Sequence, residues 1–96
     1  MWIKTQIGNL LNSDHAGNIY EENRNSKRHP SFYICVAIQG ERHVIMQSEE
    51  KFVRDYVIQW IENSIDQEHN FCNVQNAILS AQQSKKEKKA LTKKSE

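Results

Sequence analysis

Phe32-Tyr33-Ile34-Cys35-Val36-Ala37-Ile38-Gln39-Gly40-Glu41-Arg42-His43-Val44-Ile45-Met46 reads as two strands around a turn. From Ser48 onward the pattern changes, and Phe52/Tyr56/Trp60 and Val53/Val57/Ile61/Ile65 recur every fourth residue. A side-chain period of two gives way to one near 3.6, the change from a half-buried strand to a helix with a broad apolar face. A type II′ turn wants Gly at its first central position, so Gly40-Glu41 is the expected turn centre. Val36 then faces Ile45, and Ala37 faces Val44. Centring the turn on Gln39-Gly40 would slip the register by one residue and set His43 against Val36. The first register pairs apolar with apolar and is the one expected.

The helix is expected over residues 49–65. Ser48 suits an N-cap, and Glu49 and Glu50 suit a first turn, where the helix dipole favours negative charge. Glu50/Arg54 and Lys51/Asp55 are spaced to pair along its surface. Burying the seven large residues of the two ladders, at about 1.5–3 kcal/mol each, contributes on the order of 10–20 kcal/mol before entropy. Helix-on-sheet packing is therefore expected to hold the domain.

Working outward, Trp2-Ile3-Lys4-Thr5-Gln6-Ile7 alternates as a first strand. Gly8-Asn9 breaks it and Leu10-Leu11 resumes it briefly. Residues 12–18 are dense in turn formers, Ile19-Tyr20-Glu21-Glu22 is a weak strand, and the polar residues 23–30, ending in the only proline, read as a loop. On the other side, Phe71, Val74, Ile78 and Ala81 form a narrow seam for a second helix starting near Asn70 or Asn73. The expected organisation is a β-meander plus helix domain at 1–66, a second helix at 67–83 and a lysine-rich tail at 84–96.

The charge is unevenly spread. Residues 84–96 hold six lysines and two glutamates, net +4, whereas residues 1–83 hold seven basic and ten acidic residues, net −3. Cys35 and Cys72 lack CxxC spacing and read as two reduced thiols, Cys35 inside an apolar strand. Neither a signal peptide nor a run long enough to cross a bilayer is read, so an intracellular, cytoplasmic protein without membrane contact is expected.

Catalytic chemistry finds no local motif. The three glycines are too few for a phosphate-cradling loop, and no nucleophile elbow occurs. Glu49/Glu50 is accounted for by helix capping and Glu21/Glu22 by a solvated strand end. An enzyme would need His43, a carboxylate and Cys35 to converge from separate elements. His69-x-x-Cys72 is the one close pair of metal-ligand type, and a structural zinc site wants four ligands. The expectation is accordingly no enzyme, no cofactor and no metal.

Two binding chemistries do follow from the residues. Ile58 lies off both ladders, among Arg54, Asp55 and Glu62. It is either a contact for a partner or is covered by the second helix docking through Phe71, Val74 and Ile78. If that helix does not fold back, Ile58, Phe71, Val74 and Ile78 are protein-binding residues, for a partner or for a homodimer. In the tail, Lys85, Lys86, Lys88, Lys89, Lys93 and Lys94 would track nucleic-acid phosphates in a salt-dependent way, without an interleaved aromatic for stacking.

The opening Met1-Trp2-Ile3-Lys4-Thr5-Gln6 with Gly8-Asn9-Leu10-Leu11-Asn12, followed by a strand pair and Ser48-Glu49-Glu50 heading a helix, resembles short bacterial and phage open reading frames that begin Trp-Ile-x-Thr-Gln. The resemblance spans roughly residues 1–65 and implies a small curved sheet plugged by a helix, somewhat like a pleckstrin-homology-type module. It implies no activity. The expected fold is α+β: an antiparallel meander of four to five strands on one amphipathic helix, then a second helix and a basic tail. The expected function is a small non-catalytic protein–protein interaction module, in one form a phage-type inhibitor or adaptor of a host complex. The alternative is a nucleic-acid-associated accessory protein acting through its lysines.

Overall fold

The computed structural model describes residues 1–25 and 29–94, and their side chains except at 15–17, 25 and 86–94. The strands are β1 (Trp2–Lys4), β2 (Leu10–Asn12), β3 (Ala16–Asn25), β4 (Pro30–Ile38), β5 (Glu41–Ser48) and β6 (Phe71–Asn73). The helices are α1 (Lys51–Asp66) and α2 (Val74–Lys94), and a single 3-10 turn, Ser13–His15, leads into β3. The chain is α+β, as expected, but its strands do not form one meander. They form two three-stranded sheets, β2-β1-β6 and β3-β4-β5, and only the second is an antiparallel meander. In the first, β6 lies parallel to β1. The two sheets meet where the Gln6 amide donates to the Ile45 carbonyl (3.0 Å) and the Gln47 amide donates to Gln6 Oε1 (2.9 Å).

The central hairpin takes the register that set His43 against Val36. The turn is centred on Gln39 (φ 52°) and Gly40 (φ 80°), two positive φ values in succession, as a type I′ turn requires and as the strand twist favours. The apolar pairing forgone is recovered by a bulge. Cys35 faces Val44 and Ile34 faces Met46, so Ile45 is an extra residue, and both Ile45 and Met46 are buried.

Two further boundaries move. Residues 23–25, expected in a loop, are strand: Asn23, Arg24 and Asn25 pair with Phe32, Ser31 and Pro30. Residues 26–28 lie outside the described residues. The first helix starts at Lys51 rather than 49, with Glu50 at its N-cap, so Glu49 and Glu50 precede its first turn. Ser48 ends β5, and its Oγ accepts from the Glu50 amide (3.0 Å). At the other end, Glu68 adopts φ 57°, the Glu68 amide donates to the Ile65 carbonyl (3.0 Å) and the His69 amide to the Ser64 carbonyl (2.9 Å). This is a Schellman termination with a non-glycine residue in the left-handed position.

One core joins all layers. Ile3, Ile34, Val36, Ile45, Met46, Val53, Val57, Ile61, Cys72, Val74, Ala77, Ile78 and Ala81 are its buried members. Residues 67–83 are therefore not an appendage to a finished domain: β6 extends the β1 sheet, and α2 supplies four core side chains. The buried stripe of α1 is Val53, Arg54, Val57, Ile61 and Ser64, narrower than the two ladders suggested. Phe52 and Ile65 remain exposed.

Candidate protein-interaction surface

In β1 only Ile3 points inward, so Trp2 and Lys4 share the outer face. Trp2 pairs with Phe71 on one side and with Asn12 on the other, and Lys4 pairs with Leu10. Trp2, Leu10 and Phe71 thus lie on one sheet face, with exposures of 49, 57 and 50%. Together with Asn70 they line a shallow concavity of about 440 Å³. Exposed aromatics on neighbouring strands leave a contiguous apolar patch that no element of the described chain covers. Of the expected binding residues, Phe71 belongs to this patch, on a strand and not on the second helix.

Val74 and Ile78 do sit on α2, but they are buried in the chain's own core, so they present no surface for a partner. The second helix folds back beside Tyr56, next to Ser80, Gln83 and Ser84, leaving Ile58 uncovered by it. Ile58 is half-buried in a groove of about 510 Å³ with Ile19, Ile61 and Ile65, edged by Asp14 and Glu62. That groove continues into a second concavity of about 360 Å³ lined in part by Ile65, Glu68 and His69.

Lys85 pairs with Glu50 ahead of α1. The backbone of α2 stays helical through Lys86, Lys88, Lys89, Lys93 and Lys94, whose side chains lie outside the described residues.

Cys35 and His43 do not converge. Cys35 faces Val44 and Val36 faces His43 across the ladder, so the two side chains point to opposite faces of the sheet. Around Cys35 the outer face is an ionic cluster. Glu22 accepts from Arg42 Nε (2.8 Å), Arg24 Nε (3.2 Å) and the Cys35 thiol (3.6 Å). Both guanidinium carbons lie 5.6 Å from the Tyr33 ring centroid. The hydrogen bond from Arg42, above all, holds the Glu22 carboxyl below its ordinary value, against desolvation. Burial pushes the Cys35 and Cys72 thiols up, and both cysteines are free. Among the described residues no group of three or more His, Cys, Asp or Glu is arranged to hold a metal ion, and no helix is long and apolar enough to cross a membrane.

Trp2 and Leu10 carry no sequence signal that singles them out as binding residues. The alternation around Ile3 already put Trp2 outside, but the β6 strand that brings Phe71 beside it is a three-residue parallel pairing with no local sequence signal. Compared with known protein families, with curated proteins and with solved structures, the chain matches none.

Proposed function

We propose that this chain is a non-catalytic protein-interaction module that binds its partner on the outer face of β2-β1-β6. The reading rests on one observation, the juxtaposition of half-exposed Trp2 and Phe71 with Leu10 on that face. Rigid aromatic side chains on a sheet offer large contact area at small conformational cost, which is why such residues dominate binding energy at interfaces. A homodimer through the same face and an inhibitor or adaptor docked on a larger complex are both forms of this reading.

The test is capture by the immobilised full chain at moderate salt, compared across variants. Partner capture, or dimer formation by the chain itself, is expected to be lost in Trp2→Asp and Phe71→Asp and kept when residues 84–96 are deleted. Capture of nucleic acid that disappears with that deletion and with added salt, and is indifferent to Trp2 and Phe71, would replace this reading by one based on the lysines.

A further inference from the structure

A second surface, distinct from the aromatic patch, has an occupant within the sequence itself. The groove floored by Ile19, Ile58, Ile61 and Ile65 carries Asp14 and Glu62 on its edge and runs on to Glu68. Among the described residues lining it, none is Lys or Arg. Asp14 is partly neutralised by the α-ammonium of Met1 (3.3 Å), whereas Glu62 and Glu68 have no ion-pair partner among the described residues. Beyond Lys85 the chain stays positive over residues 86–96, with five lysines against two glutamates and Ala90-Leu91 between the lysine pairs. This charge complements the groove.

A chain does not reach its own groove with this segment. α2 runs back along α1, so that Lys85 meets Glu50 just ahead of the first turn of α1. The groove lies at the opposite end, on the last turns of α1. From Glu50 to Ile61 is about 16 Å along the helix, and from Lys85 to Lys94 the helix travels about 13 Å further outward, at 1.5 Å per residue. The lysine-rich end is thus carried away from the acidic groove of the same molecule. We propose that it docks in the groove of a second copy, giving a head-to-tail assembly. Such a contact uses two different surfaces, so the assembly always keeps one free groove and one free tail unless a ring closes.

The experiment is light scattering and sedimentation of the full chain as a function of concentration and salt, with two charge-reversed variants. One is Glu62→Lys with Glu68→Lys, in the groove. The other is Lys88→Glu, Lys89→Glu, Lys93→Glu and Lys94→Glu, in the tail. Circular dichroism verifies that each is folded. The wild-type chain is expected to rise above monomer mass near 10 mM salt, where the screening length is about 30 Å, and to return to monomer near 1 M, where it is about 3 Å. Each variant alone is expected to remain monomeric. Mixing them sets the native tail of one against the native groove of the other and the reversed tail against the reversed groove, so association is expected to return in the mixture alone.

A wild-type chain that is monomeric at low salt overturns the proposal and leaves the aromatic-patch reading as it stands. Association that persists in both variants and is lost in Trp2→Asp assigns self-association to the patch instead. Loss in the groove variant alone, with the tail variant unaffected, gives the groove a different occupant and equally overturns it.

Discussion

The guanidinium of Arg54 on α1 stands 5.3 Å over the ring of Phe32 on β4. Arg54 is 1% exposed, the largest of the fully buried side chains, and four groups hold it. Its Nε donates to Asp55 (2.9 Å), its Nη1 donates to Asn23, its Nη2 lies 3.5 Å from Glu21, and its plane covers Phe32. Arg54 therefore ties the helix to β3 and β4 at the end of the sheet where the hairpin joins Asn25 to Pro30. Arg54→Ala is expected to destabilise the fold by about 2–4 kcal/mol, through the lost packing of a fully buried side chain against Phe32 and the loss of its hydrogen bonds. Arg54→Met keeps the stem and removes the desolvation cost, so it is expected to cost roughly half as much or less. Thermal melting separates the two, since about 1 kcal/mol moves the midpoint of a domain this size by roughly 4–8 °C.

The seam expected on one helix divides between a surface strand, where Phe71 lies, and the core side of α2, where Ile78 lies. Phe71→Asp is expected to change stability by about 1 kcal/mol or less, as an outward strand position does. Ile78→Asp, by contrast, places a carboxylate beside Val74 and Ala77 in the core and is expected to unfold the chain. Chemical denaturation of both variants shows which side of the fold each residue serves.

The Glu22 cluster predicts an acid-sensitive contribution to stability. Its carboxyl is held below the ordinary value of 4.5, chiefly by the hydrogen bond from Arg42, so the folded state binds this proton less readily than the unfolded chain. The stabilisation is fully present above that ordinary value and is lost as pH falls through the lowered one. The melting point of the wild type is expected to exceed that of Glu22→Gln at neutral pH, with the gap closing as the carboxyl protonates. A gap that is constant with pH would show that the carboxylate charge is irrelevant.

Two residues occupy left-handed backbone that other side chains would relieve. Gln39 at φ 52° opens the type I′ turn and Glu68 at φ 57° ends α1. Gln39→Asn creates the Asn-Gly sequence that such turns prefer, and Glu68→Gly removes the Cβ from the helix termination. Each is expected to stabilise by about 0.5–1 kcal/mol, read as a rise in melting temperature.

Both thiols are buried, and burial raises the pKa of each above the ordinary 9.0. Alkylation near pH 8 is expected to be slow in the native chain and complete once it is unfolded, because the thiolate is the reactive form. Fast labelling of the folded protein at Cys35 would mean that its strand opens readily.

The sequence by itself determined the parts of this protein that repeat locally. The helix expected at 49–65 and the strand pair around Gly40 follow from side-chain periods that a short window contains. Tertiary structure decided what no window contains. The parallel pairing of β1 with β6 joins residues about seventy positions apart, and it alone puts Phe71 beside Trp2. The hairpin register follows the turn at Gln39-Gly40, and a bulge at Ile45 buries two successive apolar residues where strict alternation would bury one. Ile58 was legible as an odd residue on the helix wheel, but its groove depends on β3 and the turn before it arriving across α1. Local patterning specifies elements, and long-range contacts, each carrying a loop-closure cost that only the complete core offsets, specify the surfaces they leave open.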